Sequence, residues 1–402
     1  MNVMVTTEHR FYGSSDGKVW TSGQFPYSYF TRYLEVFDHV LVVARVGQID
    51  RVPDAWHSAE GSGVSFVPVP YYLGPIQFAL QAITIRRTIR RAVRAADAAI
   101  FRAPSIIANL AERQMKRCRQ PYALEIVGDP SAVFARGVVD HPLRPLFRIY
   151  GCNRLRQQCR DAIATAYLTK GALKRLYPPG SGMFQTSYPE VELKDEAFAL
   201  VPPTRDFIQK PLTLLGVGSL AQRYKGFDVL MRALKTCLEQ GLDLRLVLAG
   251  DGQYRAELEA LAARLHVQDR VVFLGQLPSG KAVRDQFDQA HMFVMPSRVE
   301  GMPSAMIEAM ARGLPCIGST VGGIPELLPA EDLVVPGDAP ALAAKVREIV
   351  TDPGRMTRMA AKNLATSRQF RDQTLHGLRT AFYRHVRERT EAWQRSGKVA
   401  HS

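Results

Sequence analysis

The sequence predicts an α/β protein made of two helix-covered parallel sheets that face each other across a cleft. Three observations carry that expectation. Apolar runs of strand length alternate with segments of helical period, the order that builds a parallel sheet with helices packed on it. The alternation breaks between Glu190 and Pro211, where acidic residues, Pro202-Pro203 and Pro211 cluster, and then begins again. The chain has 402 residues, too many for one ordinary domain and comfortable for two of roughly 150–200 residues each. A linker at 196–211 separates an N-terminal domain, 1–200, from a C-terminal domain, 201–375, and a closing helical segment occupies 376–402.

In the first half, Asn2 to Thr6 reads as a short strand, His9 to Gly23 as a long glycine-containing loop, and Tyr29 to Phe37 as a helix. Val40 to Ala44, Val64 to Val69 and Ala98 to Phe101 are the next strands, with a basic helix between the last two. Ile106 to Arg117 is a helix, Tyr122 to Val127 a strand, Pro145 to Ala162 a long helix and Ala164 to Leu168 a strand. The second half is clearer. Leu212 to Val217, Leu244 to Ala249, Arg270 to Leu274, Met292 to Met295 and Pro315 to Gly318 are strands. Helices run over Lys225 to Gln240 (stopped by Gly241), Tyr254 to Leu265 and Lys281 to Gln289, and another starts after Pro303 and stops at Gly313. Three more follow, Ala339 to Val350, Arg355 to Gln369 and Asp372 to Glu391. Ligands of such sheets bind beyond the carboxyl ends of the strands, so motifs that follow strands are the ones to weigh.

Composition narrows the function. Apolar residues make up 46% and charged residues 22% of the chain, an ordinary globular profile. Met1 to Arg10 lacks the basic and apolar regions of a signal peptide, and no apolar run approaches the ~18 residues of a membrane span. The five cysteines match no zinc or CxxC spacing and read as reduced thiols of a cytoplasmic protein, with Cys316 in the core. No H-E-x-x-H, D-x-D or strand-following G-x-G-x-x-G is present, which disfavours metalloprotease, metal-dependent transferase and dehydrogenase readings. Neither cofactor nor metal is expected. The net charge of +14 favours anionic partners. Its surplus is concentrated between Arg86 and Arg119, with ten basic residues against Asp97 and Glu112. Arg86, Arg87, Arg90, Arg91 and Arg94 share one helix face, while Phe78, Ala82, Ile85, Ile89, Val93 and Ala96 form the opposite stripe that should pack on the sheet. Two readings stand: a solvated face, or docking to anionic lipid on the inner face of the cytoplasmic membrane. Nucleic acid is not expected, because the arginines lack interleaved aromatics and no recognition module is present.

The densest motif is Ser297 to Ala311. A strand ends at Met295-Pro296, a loop carries Glu300, and a helix begins near Pro303, where proline suits the first helical position. The free N–H groups of that first turn and the helix dipole suit an anion such as a diphosphate. Glu308 sits among Ala305, Met306, Ile307, Ala309 and Met310. A carboxylate on so apolar a helix is costly unless it is hydrogen-bonded or reaches into a polar cavity. Ionised, it only accepts, and its two oxygens suit the two hydroxyls of a ribose diol. The alternative is a surface glutamate on an amphipathic helix.

Glu300, seven residues, then Glu308, within Ser-x-x-Glu-Gly and Glu-Ala-Met-Ala-x-Gly-x-Pro, resembles the E-x7-E motif of the retaining GT-B glycosyltransferases of family 4. The resemblance implies a GT-B fold of two Rossmann-like domains and transfer of a sugar from a nucleoside diphosphate sugar, with retention, to a saccharide or lipid-linked saccharide. It gives Glu300 the transferred sugar, Glu308 the ribose, and the backbone of Gly301, Met302, Pro303 and Ser304 the sugar and diphosphate. Val217-Gly218-Ser219-Leu220 and Tyr224-Lys225-Gly226 resemble the family's G-R-L…K-G loop, which gives Lys225 the leaving phosphate. The family often has arginine where this chain has Ser219, and Arg223 is the candidate substitute. Gly250 and Gly275 fall in loops like those that border the base, and Val321 to Glu326 resembles the family's G-G-x-P-E turn, assigned no chemistry. The resemblance covers about 212–370. In the acceptor-side domain, Asp129 follows a strand at the cleft: it either orients the acceptor hydroxyl or forms an Asp-Pro turn. The implied setting is polysaccharide or glycolipid assembly; a non-catalytic homologue that binds nucleotide sugar or partners another transferase is the alternative.

Overall fold

A computed structural model describes residues 1–23, 25–54, 56–134, 141–191, 193–201, 211–278 and 280–399. Two sheets organise it, one of nine strands and one of six. The linker expected at 196–211 lies mostly outside the described residues.

The first half begins with β1 (Asn2–Gly13), β2 (Val19–Thr21), α1 (Tyr27–Leu34), β3 (His39–Gln48), β4 (His57–Ser58), β5 (Val64–Pro70) and α2 (Gly74–Ala95). It continues through β6 (Ala98–Ala103), α3 (Ile106–Arg117), β7 (Ala123–Ile126), α4 (Pro130–Val133), α5 (Arg144–Asp161), β8 (Ala164–Tyr167), α6 (Ala172–Leu176) and β9 (Phe184–Ser187). The parallel strands lie in the order β5-β3-β1-β6-β7-β8-β9. The loop expected over His9 to Gly23 is mostly strand. β1 shifts register between Thr6 and Arg10, runs on to Gly13 and folds back on antiparallel β2. Burial explains it, because Phe11, Val19 and Thr21 point into the core from this extension.

Right-handed crossovers set the layers. α2 packs on α3, and Arg113 of α3 reaches the Tyr150 hydroxyl of α5 (3.3 Å), so these three helices cover one face. α1 covers the other. The expected stripe of α2 meets the core through Ile85, Ile89, Val93 and Ala96. Phe78 packs half-buried against the same core, while Ile76, Leu80 and Ile83, which lie off that stripe, are exposed.

The second half contains β10 (Leu212–Val217), α7 (Phe227–Glu239), β11 (Leu244–Ala249), α8 (Arg255–Arg264), β12 (Val271–Gly275), α9 (Lys281–Gln289) and β13 (Met292–Met295). α10 (Ser304–Ala311), β14 (Cys316–Ser319), β15 (Leu333–Val334), α11 (Ala339–Val350), α12 (Pro353–Ser367) and α13 (Asp372–Val399) complete it. The sheet is parallel throughout, in the order β12-β11-β10-β13-β14-β15. Pro303 caps α10 with extended backbone rather than entering it. The last helix, α13, lies against β8 and β9 of the first sheet, and Tyr33 of α1 meets its Tyr383 with ring centroids 4.6 Å apart.

Candidate active site

The loop between β13 and α10 is held from three sides. Ser319 Oγ donates to the Ser297 carbonyl (2.6 Å). The Arg298 N–H donates to the Tyr224 carbonyl (2.6 Å), and its guanidinium grips both oxygens of Asp228 at 2.7 Å each. The Gly323 N–H donates to the Gly301 carbonyl (2.7 Å). Two glycines permit this packing. A Cβ on Gly322 (φ +56°) would lie 2.0 Å from the Glu300 carbonyl oxygen, and one on Gly226 (φ +71°) 2.1 Å from that of Pro296.

Held this way, Glu300 meets Lys225. The Lys225 ammonium donates to Glu300 Oε2 at 2.8 Å, and Ser297 Oγ donates to the same oxygen at 3.0 Å. The two charged side chains are 14% and 12% exposed, so the pair is sheltered yet reachable. The pairing joins the loops after β10 and β13, neighbouring strands whose carboxyl ends open on the cleft. Gly218 and Gly250 stack the adjoining loops: Gly218 N donates to Ala249 O (2.9 Å), and Gly250 N to Gly275 O (2.8 Å). Ser219 Oγ accepts from the Ala221 N–H (3.2 Å) and closes its own turn.

Two cavities flank this centre. The larger, about 630 Å³, has Ser304, Glu308 and Arg284 on one side and Phe25, Arg32 and Glu190 on the other. Glu308 has no hydrogen bond or ion pair to another side chain among the described residues. Burial pushes its carboxyl up to about 7, against the pull of Arg284. It therefore lines the cavity with a carboxyl that no side chain of the described residues engages. The smaller cavity, about 250 Å³, lies beside Glu300 and Gly301 and is closed by Gly128, Asp129, Thr169 and Leu173.

The structure thus brings Lys225, Glu300 and Gly301 together at one end of the cleft and Ser304 with Glu308 along it. Met302 is buried and offers backbone only. Asp129 lines the smaller cavity, but its carboxylate is engaged by the Ser131 N–H (2.8 Å), the Ser131 hydroxyl and the Tyr177 hydroxyl, which makes it the cap of α4. Arg223 pairs with Glu257 on the rim and lies over the Tyr254 ring (5.3 Å), so a phosphate contact requires that exposed pair to open. Sequence reasoning missed Ser297, Arg298 and Asp228, which hold the loop, and gave no role to Glu326. The Glu326 carboxylate accepts from the N–H groups of Lys170 (2.6 Å), Gly171 (2.9 Å) and Ala172 (2.6 Å), at the N-terminus of α6 across the cleft. The G-G-x-P-E run was visible; its partner in the other half was not.

Residues 211–352 match the family model of the Glycosyl transferases group 1. The chain is 24% identical over 329 residues to Protein CapJ of Staphylococcus aureus, covering 81% of each. It is 35% identical over 149 residues to the amylovoran biosynthesis glycosyltransferase AmsK of Erwinia amylovora, an alignment that spans 35% of this chain and 36% of that one. Among solved structures, HepE of Anabaena bound to UDP-glucose superposes with a TM-score of 0.65 at 16% identity, covering 95% of this chain and 98% of HepE. The fold is GT-B, and the protein is a glycosyltransferase. The matched stretch holds Lys225, Glu300 and Glu308.

Proposed function

We propose that the enzyme transfers a sugar from a nucleoside diphosphate sugar to an acceptor hydroxyl with retention at the anomeric carbon, in polysaccharide or glycolipid assembly. The observation that carries this reading is the unpartnered Glu308 carboxylate on the cleft wall, eight residues beyond a Glu300 paired with Lys225. Glu308 accepts the two ribose hydroxyls, which supply the donors it lacks. The diphosphate lies toward Lys225 and the first turn of α10. The Ser304 and Ala305 N–H groups have no helical partner there, and the dipole favours negative charge. As the sugar–phosphate bond breaks, charge grows on the leaving oxygen, and a preplaced ammonium stabilises it without reorganisation. Lys225 then exchanges part of its contact with Glu300 for phosphate, which frees Glu300 to face the sugar. Asp129 shapes the acceptor side.

The HepE complex with UDP-glucose makes uridine the first base to test. Relatives named for amylovoran and colanic acid biosynthesis support a saccharide acceptor. Thermal shifts of the purified protein with UDP, GDP, ADP and their sugars, beside Glu308→Ala, test the donor site. Stabilisation by one nucleotide that the variant loses is expected; no shift with any of them removes the donor site as drawn. Proton NMR of the first transfer product gives the anomeric configuration, and inversion would overturn the retaining assignment.

A further inference from the structure

The α2–α3–α5 layer presents two bands to solvent that the sugar-transfer site does not use. The three helices each run back antiparallel to the strands of one parallel sheet, so their first turns share the cleft end of that layer. At that end Ile76, Leu80 and Ile83 of α2 are 77%, 83% and 66% exposed, and Leu146, Ile149 and Tyr150 of α5 are 61%, 60% and 54% exposed. Steps of three and four put each trio on one side of its helix. Ile85, Ile89 and Val93 already fill the sheet-facing stripe of α2, so Ile76, Leu80 and Ile83 form a second apolar row turned outward.

Behind this row comes charge of one sign. Arg86 and Arg90 of α2 and Arg113 and Arg117 of α3 line a groove of about 350 Å³. Among the described residues none of the four has a carboxylate partner. The contact from Arg113 to Tyr150 of α5 (3.3 Å) makes the apolar and basic bands one continuous surface.

We propose that this face seats the enzyme peripherally on an anionic bilayer. The outward leucine and isoleucines enter the boundary between headgroups and acyl chains, and the arginine groove holds lipid phosphates. Apolar side chains bordered by arginine make up an interfacial helix, and unpaired guanidiniums are drawn to the negative surface of an anionic leaflet. Charge complementarity selects this occupant. A second copy would set the same arginines against each other across a two-fold interface. A nucleic acid has phosphates for the groove but nothing for the exposed isoleucines. The cleft end carries the apolar row, so docking brings the mouth of the active site to the lipid surface. The assignment rests on this surface and not on the identity of the donor.

The test is flotation of the purified full chain with vesicles of phosphatidylcholine, with and without phosphatidylglycerol. Binding is expected only to the anionic vesicles, falling as salt is raised. Arg86→Glu with Arg90→Glu reduces it by at least about tenfold. Leu80→Ser with Ile83→Ser reduces it even at low salt. Both pairs are solvent-facing, so their thermal melts should match the parent. Should the apolar pair melt lower, the arginine pair decides. No binding to either vesicle, equal binding to both, or binding that the arginine pair leaves unchanged would overturn the proposal. So would a dimer, seen by light scattering, that Leu80→Ser dissolves, because a second copy would then own the face.

Discussion

At the scale of single residues, Glu308 is the most informative side chain. Its folded pKa of about 7 lies above the usual glutamate value of 4.5, so the folded state binds the proton more tightly than the unfolded chain. The penalty for ionising it is absent below pH 4.5, grows as pH rises to 7, and is constant above that. Glu308→Gln should therefore raise the melting temperature of the ligand-free enzyme at pH 8 and leave it unchanged at pH 4.5. The gain is on the order of 2 kcal/mol, discounted for the wet part of the carboxylate. The same variant should lose nucleotide stabilisation, so the two states move in opposite directions. In the parent, nucleotide affinity should weaken as pH falls below 7, because a protonated carboxyl offers the ribose diol one acceptor fewer. A melt series across pH with and without nucleotide reads both effects, and equal melts of parent and variant at pH 8 would refute the buried-charge account. On the proposed mechanism Lys225→Met removes the ammonium set against the leaving oxygen, and a fall in kcat of about 10²–10³ is expected. A change in KM alone would place Lys225 outside the transition state.

At the scale of elements, loop geometry governs the site. Gly322→Ala puts a Cβ where the Glu300 carbonyl oxygen stands and forces a left-handed residue at φ +56°. The backbone term alone costs about 1–2 kcal/mol. The clash pushes the Glu300 loop away from Lys225, so activity should fall further than the melt suggests, and a variant with parental kcat would show that the loop tolerates displacement. These same elements show what a sequence discloses. β10, β11, β13, α3, α9 and α11 were readable to the residue or nearly so, because each has a local period and a local stop signal. The Glu300 loop was readable because strand, glycine, proline and helix follow one another along the chain. The β1–β2 hairpin was hidden, because the glycines of 9–23 look like a loop until Phe11 and Val19 find their core neighbours. α4 and α6 are four and five residues long, too short for a period. The pairs that hold the site, Lys225 with Glu300 and Arg298 with Asp228, join residues 75 and 70 positions apart, a relation set by sheet order and not by local pattern.

At the scale of the whole molecule, the two halves share one apolar cluster and are also tied by polar contacts and one helix. α13 leaves the second half and places Tyr383 beside Glu125, whose carboxylate also accepts from the Tyr33 and Tyr188 hydroxyls at 2.9 Å each. Arg102 lies against the same carboxylate and reaches on to Glu190 at the cavity wall, so the helix is anchored in the first half of the protein. That anchor is buried. The Glu326 contact is different: it sits at the mouth, holds three N–H groups of the 170–172 turn, and joins the G-G-x-P-E turn to the α6 terminus. Its carboxylate faces unpaired N–H groups and the positive end of a short helix, where hydrogen bonds to a charged acceptor are the strong kind. The turn that carries Glu326 also buttresses Glu300 through Gly322 and Gly323. The turn that clasps the two halves is thereby the turn that holds the Glu300 loop. Glu326→Ala removes the clasp and leaves α13 intact, so the halves should separate without unfolding. The radius of gyration by small-angle scattering should rise in the ligand-free enzyme, and nucleotide sugar should restore it only in part. Hydrolysis of the donor by water should gain on transfer, because a looser cleft excludes water less well. Glu326→Gln keeps one acceptor oxygen and should lie between parent and alanine variant. An unchanged radius in Glu326→Ala would mean that α13 and the shared apolar packing set the angle between the halves, and that the clasp only caps α6.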